Sequence, residues 1–253
     1  QLKVLTWWCP SCSSSKFDAV ICDGAVRSGK TLCMFLSFIF WGVSCHSGGS
    51  LAVCGKTVTS LRRNIISPML PVLRSLGFQC ELVSSRGQIT IKYKNAKITL
   101  WMFGGRDESS AALIQGMTLC GVLLDEVALM PRSFVDQALA RCSVEGSRFW
   151  FNCNPDNPSH WFYREWILKA KEKNALYLHF TMQDNPSLSK KTVARYEKLY
   201  SGAFYERYVK GLWVANYGLV YPDFGEKDCV TPPSDCKKYY ISCDYGTVNP
   251  SSF

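Results

Sequence analysis

Histidine is scarce in this chain, with three in 253 residues, and no nucleophile-elbow pattern lies near any of them. His160, beside Trp161, therefore reads as a structural residue rather than a catalytic base. There is no secretory signal. The longest apolar stretch, residues 32–43, falls well short of the roughly 20 residues that a membrane-spanning helix needs, so no membrane partner is expected. No run of lysine or arginine exceeds two residues, so any basic surface is dispersed along the sequence. A second close cysteine pair is also missing. Cys9-Pro-Ser-Cys12 stands alone, and Cys229 and Cys236 are six residues apart internally, so a structural zinc site lacks half its ligands. Cysteine itself is plentiful, at 13. The count is odd and the spacing irregular, and Cys22, Cys33, Cys54 and Cys120 sit inside apolar runs. That pattern reads as reduced, buried thiols of a cytosolic protein rather than a disulfide framework.

The composition, 47% hydrophobic and 19% charged, describes a globular chain with a sizeable core. The net charge of +9 points to a polyanionic partner such as nucleic acid. The chain opens at Gln1 and stops at Phe253 just past a strand-like run, and it reads as part of a longer protein.

Residues 24–31 read Gly-Ala-Val-Arg-Ser-Gly-Lys-Thr, a full match to the phosphate-binding loop G-x-x-x-x-G-K-[ST]. The flanks fit as well, with a strand-like run at Ala19–Cys22 before it and a helix-like run at Leu32–Trp41 after it. Such a loop offers the N–H groups of Gly24, Ala25, Val26, Arg27, Ser28 and Gly29 and a helix N-terminus to phosphate oxygens. Lys30 reaches the β- and γ-phosphates, and the Thr31 hydroxyl holds Mg²⁺. ATP and Mg²⁺ are the expected ligands.

A second motif, Val122-Leu-Leu-Asp125-Glu126, carries two acids out of an apolar strand. Asp125 suits the Mg²⁺ shell, and Glu126 suits polarisation of an attacking water. Arg27 inside the loop is placed to touch the γ-phosphate in cis. Phe151-Asn152-Cys-Asn154-Pro155 ends the next strand on the same sheet edge, where Asn152 or Asn154 can sense the γ-phosphate; the alternative is a polar turn. The segment Tyr205–Trp213 mixes aromatics and bases, with spacing that suits a packed helix better than a DNA-stacking surface.

The periodicities predict strand 19–23, helix 30–44, a buried strand at 51–54, and a helix over 57–76 interrupted at Pro68 and Pro71. Short strands at 79–84, 88–93 and 97–103 read as antiparallel strands or a small hairpin insertion. Strand 120–125, helix 132–142, strand 148–153, helix 159–173, strand 176–181 and helix 189–200 continue an alternating order. A further helix follows Gly202. The whole is a mainly parallel α/β sheet flanked by helices. Pro222, Pro232 and Pro233 mark a linker-like region before a last strand at 239–244.

Taken in order, "DGAVRSGKT", "LLDEVALMPRSFVDQ", "NCNPDNPSHWFYREWI", "HFTMQDNPSL" and "GLWV" resemble the large terminase subunit of tailed bacteriophages, over about residues 18–253. The resemblance implies an ATPase domain of the additional-strand P-loop type at residues 1–216. Residues 217–253 would then be a linker and the opening strands of a truncated RNase H-like nuclease. It assigns Lys30, Arg27 and Glu126 to catalysis, Thr31 and Asp125 to Mg²⁺, and Asn154 to the motif that couples hydrolysis to movement. Asp244 matches the first nuclease metal ligand, in a site incomplete here. The implied function is ATP-driven translocation of viral double-stranded DNA into a procapsid. The implied partners are the portal protein, a small terminase subunit and further copies in a ring, in the host cytoplasm with transient docking on the procapsid. Rival readings are another P-loop DNA translocase of helicase-like type and a nucleotide-gated docking domain that does not hydrolyse. One departure stands out. Many terminases place an Arg-Gly pair where this chain has Gln115-Gly116, so a trans-acting arginine must come from elsewhere, with Arg106, Arg132 and Arg141 as candidates. Trp7 and Trp8 offer the one evident surface for stacking adenine.

Overall fold

Strand β1 (Ala19–Gly24) is buried along its whole length, because an apolar run covered on both faces leaves no room for alternation. It is one of eight strands. The others are β2 (Ser50–Gly55), β3 (Gln79–Val83), β4 (Gln88–Tyr93), β5 (Ala96–Gly104), β6 (Gly121–Asp125), β7 (Arg148–Asn152) and β8 (Ala175–Phe180). They form a single sheet in the order β3-β4-β5-β2-β6-β7-β1-β8. The six strands from β5 to β8 in that order run parallel, and β4 runs antiparallel to both of its neighbours. This computed structural model describes residues 1–215; Asp244, Cys229, Cys236 and the expected nuclease strands lie outside them.

β7 is inserted between the strand that feeds the phosphate loop and the strand that ends in Asp125. That is the additional-strand arrangement expected above. The order also decides between two expectations for the 79–103 region. Its strands are antiparallel and form no separate hairpin insertion, because β5 pairs with β2 over Ser50–Gly55 and extends the main sheet.

Helix α1 (Leu2–Thr6) and helix α2 (Lys30–Cys45) pack on one face of the sheet. There Trp7, Phe38, Trp41 and Trp150 meet with ring centroids 4.9–6.0 Å apart. The Trp150 indole N–H donates to Ser37 Oγ at 3.2 Å, which satisfies the polar end of a wholly buried ring. Helix α5 (Arg132–Ala140) and the Phe162–Trp166 segment cover the other face.

The predicted breaks at Pro68 and Pro71 do not occur. Helix α3 (Val58–Leu61) runs through a π-helical turn (Arg62–Ile66) into α4 (Ser67–Ser75). Pro68 would crowd the carbonyl four residues back, and the wider turn lies over that position. The expected helix at 159–173 is likewise reduced, to a short segment with a π-helical turn at Tyr163–Ile167. Helices α6 (Lys190–Leu199) and α7 (Gly202–Tyr208) close the described chain. No helix among the described residues is long and apolar enough to cross a membrane.

Candidate nucleotide-binding site

The loop between β1 and α2 turns on two glycines with left-handed φ. A Cβ on Gly24 (φ 127°) would meet Phe180 O at 1.9 Å, and Gly29 (φ 84°) caps α2. Ala25 N donates to Phe180 O at 2.8 Å and Val26 N to Tyr208 O at 3.0 Å. The backbone N–H groups of Ala25 and Val26 are thus engaged within the protein. Val26 through Thr31 line a cleft of about 340 Å³ together with Glu126, Asn152 and Asn154.

Lys30 is almost wholly buried. Its ammonium donates to Gly24 O (3.0 Å), Ala25 O (2.8 Å), Ser28 Oγ (3.2 Å) and Asn154 Oδ1 (3.3 Å). Burial pulls its pKa below the usual lysine range, with nearby Asp23 and Asp125 acting against that shift.

Asp125 ends β6 and is buried. Asn152 Nδ2 lies 2.5 Å from Asp125 Oδ1 and 2.9 Å from Thr31 Oγ1, so one amide joins the two expected metal ligands. Burial pushes the Asp125 carboxyl up to about 6, against the hydrogen bond from Asn152. Asn152 Oδ1 is itself buried without a partner. A hydroxyl and a carboxylate held together by one amide fit a hard, oxygen-seeking cation such as Mg²⁺. Glu126 follows directly, in a left-handed conformation (φ 55°) unusual for a residue with a side chain. Backbone strain at a non-glycine position collects at functional sites, and the turn aims this carboxylate into the cleft.

Two structural placements were not foreseen. Trp7 is wholly buried against Trp150, with the Arg148 guanidinium 5.1 Å from its ring centre, at the start of β7 and so on the sheet edge opposite the loop. Trp8 is partly buried against the same core. Neither is placed to stack a base at the cleft. Gln1 is the residue beside the loop. Its amide donates to Ser28 O at 3.4 Å and Asp184 O at 3.0 Å, while Asn185 Nδ2 donates to Arg27 O at 2.7 Å. No motif marked Gln1, since a lone glutamine carries no spacing signal. Asn185, by contrast, lies in the "HFTMQDNPSL" stretch.

The family model "Terminase large subunit, T4likevirus-type, N-terminal" matches residues 21–227. This chain belongs to the terminase large subunit family. Among solved structures, the large terminase of a thermophilic bacteriophage is 49% identical with a TM-score of 0.84 in one crystal form. The complex of that terminase with ADP is 47% identical with a TM-score of 0.84. Its complex with ATP-γ-S is 47% identical with a TM-score of 0.82. Each alignment covers 99% of this chain and 62% of the thermophilic phage chain, so the chain spans less than two thirds of that protein's length. No curated protein matches it.

In this terminase domain the back of the phosphate loop is fastened to the segment after α7. Asp23 is fully buried and accepts from Trp213 Nε1 at 2.7 Å, with His179 Nδ1 at 3.0 Å. That hydrogen bond holds the His179 imidazole above its usual pKa. Arg207, also buried, pairs with Asp156 at 3.0 Å and donates twice to Val214 O, at 3.0 and 2.8 Å. The aromatic–basic segment therefore packs, as its spacing suggested. His160 is structural as well, with Nδ1 accepting from Phe162 N at 3.1 Å.

Of the arginine candidates, Arg132 is engaged by Glu165 (2.8 Å) and Asp136 (3.5 Å), and Arg141 is partly buried. Arg106 and Arg27 are exposed, and neither forms an ion pair among the described residues. Gln115 is exposed beside Gly116 (φ 76°). Cys9 and Cys12 are free thiols, and among the described residues no cluster of three His, Cys, Asp or Glu side chains forms.

Proposed function

We propose that this chain is the ATP-hydrolysing motor domain of a phage DNA-packaging terminase, acting on double-stranded DNA. The observation that carries the reading is the hydrogen-bonded set Thr31–Asn152–Asp125 beside Lys30 and Glu126, all at one sheet edge. In this reading Val26–Thr31 hold the triphosphate, as a homologous terminase holds ADP and ATP-γ-S. Thr31 and Asp125 hold Mg²⁺, with Asn152 positioning both. When bound, the cation neutralises phosphate charge. Glu126 orients the attacking water and accepts its proton. Lys30 and Arg27 compensate charge developing on the γ-phosphoryl oxygens. Asn154, already in contact with Lys30, carries the change of phosphate state towards Asp156 and Arg207.

The same reading places residues 217–253 at the opening of a nuclease domain, with Asp244 as its first ligand. It makes the portal, a small subunit and neighbouring copies in a ring the partners, in host cytoplasm and at the procapsid. Steady-state ATP hydrolysis, with and without duplex DNA, beside Glu126→Gln tests it. Turnover that needs Mg²⁺ and vanishes in the variant is expected. Nucleotide binding without turnover in either protein would favour the docking-domain reading.

A further inference from the structure

The positive charge of this chain is concentrated at one end of the sheet. Residues 56–106 hold nine lysines and arginines against Glu81 alone, a net +8, whereas the other 202 residues hold twenty basic against nineteen acidic side chains. The absence of basic runs conceals this, because the cations are brought together by folding. Lys56 follows the end of β2, Arg86 sits in the turn between β3 and β4, and Arg106 follows β5, all on the sheet edge that carries the phosphate loop. Lys92 and Lys97 are directly opposed on β4 and β5. All five are exposed, and none of the nine forms an ion pair among the described residues. The exposed acids Asp107 and Glu108 adjoin Arg106, yet Asp107 caps its own turn and Glu108 is bonded by Ser133.

The surface between the cations is mostly polar. Ile89, Ile91, Ile98 and Leu100 point to the core under α3 and α4. The opposite face of β3–β4–β5 presents Gln79, Gln88, Thr90 and Thr99 alongside the lysines, with Glu81 opposite Thr90 as its single acid and with Val83 and Trp101, both partly buried, flanking Gln88. Side by side, like charges at Lys92 and Lys97 are unfavourable for the isolated sheet, and a polyanion relieves that repulsion. A protein partner would want an apolar or aromatic centre, and a single strand would want stacking platforms. Trp101 is the one aromatic ring on this face where the three strands pair; it is partly buried, and its indole N–H donates to Ser50 Oγ at 3.4 Å, so it offers no series of stacking platforms.

We propose that the open face of β3–β4–β5, with its rim on the nucleotide side, is the surface that meets the phosphate backbone of double-stranded DNA. This rests on the packaging-motor reading and supplies the contact surface that reading lacks. The test is binding of a fluorescent 30-base-pair duplex of random sequence by the 253-residue chain across a salt series, using Arg86→Ala/Lys92→Ala/Lys97→Ala. An equal-charge control is Lys171→Ala/Lys190→Ala/Lys191→Ala, all exposed residues of other elements. The first variant should lose at least tenfold in affinity, and its slope of log affinity against log salt should shrink by about 2–3. The control should stay within about twofold. Equal losses in both variants, or none in the first, overturn the assignment. So does competition by poly-glutamate as effective as duplex at equal charge, which would give the face to an acidic protein. DNA-independent ATP hydrolysis, measured alongside, keeps the two readings apart: its absence from wild type counts against the motor, and its presence with unaltered DNA binding counts against this face.

Discussion

The Lys30 ammonium lies 3.3 Å from Asn154 Oδ1 while also bonding the carbonyls of Gly24 and Ala25. A lysine that must reach phosphate oxygens is thus held by its own loop and by the end of β7. In the proposed mechanism Lys30 turns to the γ-phosphate, and Asn154 Oδ1 then loses its donor. A contact that changes between states in this way should, on removal, act on the rate more than on binding. Asn154→Ala is expected to lower kcat about 10- to 100-fold with KM for ATP within about threefold. Steady-state kinetics decide it: a raised KM at unchanged kcat would make Asn154 a simple binding contact.

Asp125 should be a stability burden that the chemistry requires. Its carboxyl is raised to about 6 by burial. The folded state therefore favours the protonated form, and ionisation works against folding. Stability gained by protonation is complete below the unfolded value near 4 and is lost as pH rises through about 6. Asp125→Asn removes the penalty and keeps a partner for Asn152. It should stabilise the protein without nucleotide by up to about 3 kcal/mol at neutral pH, with little difference from wild type near pH 4, and it should abolish ATP turnover. Thermal melts of both proteins from pH 4 to 8 check the sign, and a destabilised variant at pH 7.5 would contradict it.

Much of this site was legible because its chemistry constrains spacing. The loop Gly24–Thr31 and the pair Asp125–Glu126 are patterns fixed by phosphate and metal geometry, and apolar strands carried them to a shared edge. The placement of β7 between β1 and β6 followed from the family resemblance, as periodicity alone does not order parallel strands. What was not legible depended on long-range packing. Trp7 looked available for stacking, but α1 turns it into the Trp41–Trp150 cluster. The packing of Gly24 and Ala25 against Phe180 and Gly211 likewise joins residues far apart in sequence. Pro68 and Pro71 were read by local rules that a π-helical turn relaxes. The basic end of the sheet has no lysine or arginine run; its cations are spread over residues 56–106, and the fold sets them on a shared edge and face.

Asp156 and Arg207 should contribute jointly. Arg207 is 8% exposed at its side chain and Asp156 is 41% exposed. Losing the aspartate leaves a buried guanidinium with only the Val214 carbonyl, whereas losing the arginine leaves a carboxylate that water can reach. Asp156→Ala is expected to cost about 1–2 kcal/mol after allowing for that exposure, or roughly 2–4 °C per kcal/mol for a domain of this size. Asp156→Ala added to Arg207→Met should cost little more than Arg207→Met alone. A double-mutant cycle by thermal or urea unfolding measures the coupling, and strict additivity would show that the pair does not act together.

The phosphate loop should be sensitive to a residue far from it in sequence. Gly211 has φ 75°, and a Cβ there would lie 2.5 Å from Ala25 N and 2.8 Å from Gly24 Cα. These are backbone atoms at the start of the loop, so no side chain can move aside to accept a methyl group. Gly211→Ala therefore carries the left-handed penalty of about 1–2 kcal/mol and a steric term that must displace Gly24-Ala25 or the 211–214 segment. Gly116 is the matched comparison, with φ 76° and nothing within 4 Å of its added Cβ, so Gly116→Ala carries the conformational penalty alone. Gly211→Ala should melt lower than Gly116→Ala and weaken ADP binding at least severalfold, while Gly116→Ala should bind ADP as wild type does. Calorimetric titration of ADP into the three proteins measures this directly. Unchanged affinity in Gly211→Ala would mean that the loop is positioned independently of the segment after α7, and that Trp213 and Asp23 serve stability alone.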